Sequence, residues 1–77
     1  MARDKRKHLK TFVKIGKNIQ KIRLSQKLSQ EDLAFAINSA RNYVGCIERG
    51  EKFPSISFLL DIAEKLNCKL SDLIDDI

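Results

Sequence analysis

Arg41, Asn42, Gly45, Cys46 and Arg49 recur at spacings of three and four. They share one side of a helix if roughly residues 40–49 are helical, opposite Val44 and Ile47. A guanidinium and a carboxamide are the groups that make paired hydrogen bonds to guanine and adenine edges. Gly45 costs about 1 kcal/mol against alanine inside a helix, which implies close approach of something to the backbone there. The plainer alternative is a solvated face with an unused glycine. The other reactive residue types do not converge. Cys46 and Cys68 lack metal-ligand spacing, and the single histidine, His8, lies in a basic stretch. No nucleophile–base set and no phosphate-cradling glycine loop is present. The expectation is no enzyme, no cofactor, no metal and no small-molecule ligand. The two cysteines read as reduced thiols of a cytoplasmic protein.

Positioning that surface requires short helices. From Lys10, the apolar residues Phe12, Ile15, Ile19 and Ile22 mark one face of a first helix ending near Gln26 or Lys27. Ser29 is a suitable N-cap, with Asp32 three residues on, and Gln30, Glu31 and Asp32 give a first turn whose charge suits the helix dipole. Leu33, Ala34 and Ile37 form the inward stripe of this second helix, and Asn38 suits the left-handed residue that ends it. A third helix is capped by Ser39 or begins at Ala40, buries Ala40, Tyr43, Val44 and Ile47, and ends at Gly50. After a loop to Pro54, Ser55 caps a fourth helix with Ile56, Leu59, Ile62, Ala63 and Leu66 inward, stopping at Asn67. Leu73 and Ile74 anchor a short fifth helix in the segment from Leu70 to Ile77. The second and third helices, three or four residues apart, make a helix-turn-helix unit. The fold class is all-α: a compact five-helix arrangement.

Seventy-seven residues, 43% hydrophobic, make one domain near the lower limit for folding without staples. Dimerisation would add buried apolar surface. No run is long and apolar enough for a membrane span. The net charge of +5 is uneven: residues 1–52 hold 13 Lys/Arg against 5 Asp/Glu, and residues 53–77 hold 2 against 5. One part of the molecule is thus suited to a polyanion and the other is not.

The stretch LSQEDLAFAINSARNYVGCIERGEKFPSISFLLDIAEKL (28–66) resembles the helix-turn-helix domain of the phage repressor and Cro type, the Xre family. The specific parts are LSQEDLA (28–34), YVGCIERG (43–50), Pro54 and LLDIAEKL (59–66), and the likeness extends over residues 10–74. In size and layout the chain is also similar to controller proteins of restriction-modification systems. The resemblance implies a sequence-specific, double-stranded-DNA-binding transcriptional regulator, a repressor or controller, reading the major groove as a homodimer at a pseudo-palindromic operator. It implies that Gln30 grips a phosphate from the start of the second helix. Arg41, Asn42 and Cys46 fall where such proteins place base-contacting side chains. Tyr43 either touches a phosphate or packs, and Arg49 and Lys52 match phosphate contacts. Arg23 and Glu48 match a partly buried ion pair tying the first helix to the third; the alternative is a surface pair worth under about 1 kcal/mol. The chain departs from the family pattern at Lys27 and Asn38, where glycine is usual, at Ser39 and Ala40 before the third helix, and in the small Gly45 and Cys46.

The domain reading is a basic N-terminal arm over 1–9 and a helix-turn-helix domain over 10–77 with a C-terminal dimerisation surface. Arg3, Lys5, Arg6, Lys7 and Lys10 either wrap the duplex or form a solvated basic tail. Phe53, Phe58, Leu60 and Ile77 lie outside the core stripes and form a dimer interface, unless the fifth helix covers them. A two-fold dimer would set its recognition helices about 34 Å apart. Phe35 also faces outward, without an assigned role. The competing function is a protein-interaction module, such as the antitoxin of a toxin–antitoxin pair, which would bind a protein partner and no DNA.

Overall fold

The computed structural model describes residues 8–75, which form five α-helices and no strand. They are α1 (Leu9–Ser25), α2 (Gln30–Ala36), α3 (Arg41–Glu48), α4 (Ile56–Lys65) and α5 (Leu70–Ile74). The arm residues Arg3, Lys5, Arg6 and Lys7, and Ile77 at the other end, lie outside the described residues. No described helix is long and apolar enough to cross a membrane.

Local chemistry sets most helix ends. The Ser29 hydroxyl accepts from the Asp32 amide, and the Asp32 carboxylate accepts from the Ser29 amide, each at 2.9 Å, closing a reciprocal cap on α2. Ser55 caps α4 by accepting from the Phe58 amide at 3.0 Å. The first four helices share one C-terminal closure, in which a left-handed residue folds the chain back over the last carbonyls. That residue is Lys27 (φ 61°), Asn38 (φ 57°), Gly50 (φ 77°) and Asn67 (φ 56°) in turn. At Lys27 an ordinary side chain takes a conformation that costs L-residues free energy.

Two boundary expectations change. Ser39 does not cap α3: its amide closes α2 on the Ala34 carbonyl at 2.8 Å, and the helix starts one residue too late for its hydroxyl to stand at the N-cap. Ala40 is the N-cap instead, is exposed rather than inward, and has no side-chain acceptor to offer.

The core comprises Ile15 and Ile19 from α1, Leu33 and Ala34 from α2, Val44 and Ile47 from α3, Leu59, Ile62 and Ala63 from α4, Leu66, and Leu73 from α5. Full burial of each large aliphatic side chain stabilises the fold by roughly 1.5–3 kcal/mol. α1 packs on α3 and α5, and α2 packs on α3 and α4. Side-chain amides finish two ends: Asn18 donates to the Leu73 carbonyl at 2.9 Å and Gln26 to the Leu66 carbonyl at 2.6 Å. Ile56, expected inward, is 63% exposed. It is the first helical residue after Ser55 and lies about 70° round the helix from the stripe centred on Leu59 and Leu66.

α1 meets α3 at Gly16. A Cβ on Gly16 would lie 2.5 Å from the Glu48 carbonyl oxygen and 2.8 Å from its carbon, and would also strike the Ile47 oxygen. Only a residue without a side chain lets the two backbones approach this closely. That crossing fixes the height of α3 above α1.

Candidate nucleic-acid interface

α3 is held from beneath by charge as well as by Val44 and Ile47. Arg23 of α1 donates from Nε to Glu48 Oε2 at 2.7 Å and from Nη2 to Oε1 at 3.0 Å, with side-chain exposures of 6% and 1%. Its Nη1 donates to the Leu28 carbonyl at 2.6 Å. One guanidinium therefore ties α1, the α1–α2 turn and α3 together. The fork geometry satisfies both carboxylate oxygens, which offsets the desolvation of the buried charges. No buried side-chain polar atom among the described residues lacks a partner.

Gln30 joins this network. Its amide Nε2 donates to Glu48 Oε1 at 3.0 Å, and the side chain is half-buried. The structure thus gives the Gln30 side chain an internal partner that uses one of its two amide hydrogens. It corrects Gly45. This residue is buried, not presented outward, and the groups crowding its backbone belong to the chain itself. A Cβ there would be 3.1 Å from Arg49 Nη1 and 3.4 Å from Gln30 Oε1.

What remains open on α3 is a narrow stripe. Asn42, Cys46 and Arg49 lie within about 60° of one another round the helix axis; Asn42 and Arg49 are exposed and Cys46 is half-buried. Arg41 is exposed at the N-terminal edge of this surface, and Lys52 is exposed in the loop beyond its C-terminal end. Tyr43 is half-buried and packs edge-on against Phe58, with centroids 4.9 Å apart and planes at 82°. That contact packs the Tyr43 ring and takes Phe58 out of the free apolar surface. Phe53 is half-buried and stacks on Phe12 at 4.4 Å, so of the expected interface residues among those described only Leu60 is exposed, at 49%. Ile56 stands one turn before it on the same edge of α4. Phe35 is 88% exposed.

Arg49 does not stand free. Its Nε and Nη2 donate to the two carboxylate oxygens of Glu51 at 2.9 and 3.2 Å, and Nη2 also reaches Cys46 Sγ at 3.7 Å. The hydrogen bonds to Glu51 raise the affinity of Arg49 for its proton, and those from Arg49 hold the Glu51 carboxyl below its usual range. Glu51 gave no sign of this role in the sequence, because nothing in the run Glu48–Glu51 distinguishes a solvated charge from a folded-back one. Gly16 did leave a trace, as a glycine inside an amphipathic helix.

The remaining polar chemistry is dispersed. Burial, with a smaller contribution from Asp72, pushes the Cys68 thiol up, which makes it a poor nucleophile. No group of three or more His, Cys, Asp or Glu residues among those described could hold a metal ion. An open cleft of about 510 Å³ lies between α1 and the α4–α5 turn, lined by Asn18, Lys21, Gln26, Leu66 and Cys68, away from the α3 stripe. Lys10, Lys14, Lys17 and Lys21 line the solvent side of α1.

Comparison with known proteins agrees with this geometry. A family model described as Helix-turn-helix (HTH_3) matches residues 19–73. The chain is 38% identical over 61 residues to the control protein C.BamHI of Bacillus amyloliquefaciens, covering 78% of this chain and 75% of that protein. It is 36% identical over 62 residues to the immunity repressor protein of Bacillus phage phi105, covering 80% of this chain and 43% of the repressor. Among solved structures, the restriction-modification controller protein C.AhdI from Aeromonas hydrophila is similar with a TM-score of 0.78 and 37% identity, over 80% of this chain and 94% of that one.

Proposed function

The chain belongs to the helix-turn-helix family of DNA-binding transcriptional regulators, and on that premise we propose that it reads a specific double-stranded sequence as a homodimer, with α3 in the major groove. The observation that carries this reading is the open Asn42–Cys46–Arg49 stripe, flanked by Arg41 and Lys52, on a helix whose other side is locked down by Val44, Ile47 and Glu48. An α-helix fits the major groove, and its N-terminal residues are the ones that reach base edges. Arg41 and Asn42 occupy those positions and supply the donors and acceptors for guanine and adenine. Lys52, beyond the helix, suits a phosphate. Ile56 and Leu60 on α4 supply the apolar surface for the two-fold contact.

Selection of bound sequences from a random duplex pool, followed by titration at several salt concentrations, tests this directly. The expected result is an enriched two-fold-symmetric site and an affinity that falls steeply with salt. Arg41→Ala is expected to cost about 1–3 kcal/mol and relax preference at one base pair, whereas Lys52→Ala weakens all sequences alike and lowers the salt slope by about 1. Failure to retain duplex DNA even at low salt overturns the reading.

A further inference from the structure

Resting on that DNA-reading role, the geometry points to Glu51 as a specificity-determining positioning residue: it folds the Arg49 guanidinium back over the Gly45–Cys46 surface of α3, where it meets a base edge instead of a phosphate. Glu51 is itself fixed by the closure of α3. The left-handed Gly50 lets the Gly50 amide donate to the Ile47 carbonyl at 3.1 Å and the Glu51 amide to the Cys46 carbonyl at 2.9 Å. The Glu51 backbone is therefore pinned to the last turn of the helix. From there the carboxylate takes Nε and one hydrogen of Nη2 of Arg49, at 2.9 and 3.2 Å.

Three consequences fix where the guanidinium lies. It touches Cys46 Sγ at 3.7 Å. Its Nη1 passes so close to Gly45 that an added Cβ would stand 3.1 Å away. The cationic head thus sits about one turn nearer the N-terminus than its own Cα, as helical side chains lean, and reaches the middle of the open stripe below Asn42. Some recognition helices carry base contacts on through later turns of the face that starts at their N-terminus, and Cys46 lies one turn past Asn42 on that face. The hydrogens of Nη1 remain unclaimed, and the second hydrogen of Nη2 is held only by the long contact to Cys46 Sγ, so giving up that contact lets the two nitrogens meet an acceptor pair, the pattern that guanine O6 and N7 present.

The charge argument points the same way. With Glu51 bound to it, Arg49 brings almost no net positive charge to the backbone, so it adds little to sequence-independent attraction. The Glu51 carboxylate also repels nearby phosphates, a cost that is recovered only in complexes where Arg49 finds a base partner. Gly45 is the opening that admits the folded-back side chain.

The test takes the duplex selected by the full-length protein and the set of its single-base-pair variants. Wild type, Arg49→Ala, Glu51→Ala and the double variant are titrated against each by fluorescence anisotropy over a salt series. Arg49→Ala is expected to lose roughly 5- to 150-fold on the selected site and to flatten preference at one position. Glu51→Ala is expected to flatten the same position by about two- to fivefold, while binding to unrelated duplex strengthens and its salt slope steepens. In the Arg49→Ala background, Glu51→Ala leaves the base preference unaltered, because its effect runs through Arg49. Both side chains are exposed, so thermal unfolding of the variants stays close to wild type. Uniform weakening by Arg49→Ala across all sequences, with the salt slope reduced by about 1, assigns Arg49 to a phosphate and overturns the inference. So does an unchanged preference profile for Glu51→Ala. Wild-type protein that selects no sequence overturns the DNA-reading role itself, an outcome separate from both.

Discussion

The same substitution, glycine to alanine, is expected to have opposite effects at positions 16 and 45. Both glycines lie inside helices, where alanine is favoured by about 1 kcal/mol. At Gly16 the new methyl meets backbone. The Glu48 carbonyl oxygen would be 2.5 Å away, against the about 3.3 Å at which carbon and carbonyl oxygen sit in contact. Helices α1 and α3 must then separate by about 0.8 Å, because neither backbone can rotate aside. Overpacking of this kind costs about 1–3 kcal/mol, and the separation also lengthens the Arg23–Glu48 bonds across the same crossing. The propensity gain offsets part of this. A net loss of about 1–2 kcal/mol corresponds to a fall in thermal midpoint of about 4–16 °C for a domain of this size. At Gly45 the methyl meets only the ends of Arg49 and Gln30, which swing away, so the propensity gain survives and the midpoint holds or rises. Thermal unfolding followed by circular dichroism at one protein concentration measures both. A Gly16→Ala protein as stable as wild type would show that the close crossing of α1 and α3 does not govern the fold. Gly45→Ala should still disturb DNA discrimination, since it displaces the Arg49 head.

Removing one partner of the buried pair, as in Glu48→Ala, should cost about 3–5 kcal/mol in denaturant unfolding because it strands the Arg23 charge; an exposed-pair value below about 1 kcal/mol would refute the buried role. Lys27→Gly relieves the left-handed strain at φ 61° and should stabilise by about 0.5–1 kcal/mol in the same assay, with no gain expected if that turn relaxes in solution. The Asp32 carboxyl is held below its usual value, chiefly by the backbone hydrogen bond to Ser29. Its contribution is therefore fully present above the unfolded value of about 3.9 and disappears as pH falls through the lower folded value. The thermal-midpoint gap between wild type and Asp32→Asn should accordingly narrow below about pH 4, and a gap constant down to pH 2 contradicts the capping bond. Leu60→Lys should leave monomer stability within about 0.5 kcal/mol yet shift sedimentation towards monomer; an unchanged association state removes the α4 edge from the dimer contact.

Much of the molecule follows from local chemistry. Ser29 and Asp32 cap each other within four residues, and Asn38 takes its left-handed turn, because the physics involved spans only one helical turn. The apolar stripes of α1 and α2 face the core for the same reason: periodicity alone determines which side of a helix is dry. The order of the helices and the two-helix reading unit were therefore written in the chain. What the sequence could not supply is anything decided between distant residues. Gly16 is a weak spot in a helix until α3 lies across it, 31 residues on. Nothing in the order of residues places Gln30 within 3.0 Å of Glu48, 18 positions on. Arg49 reads as a free cation until the α3 closure brings Glu51 back onto it. Gly45 and Ile56 shift roles by the same logic, since each lies near the margin of its helix stripe, where the pattern of residues does not say which neighbour arrives. Periodicity assigns faces; only tertiary packing decides which of the polar groups on those faces are already taken, and so which are left to meet DNA.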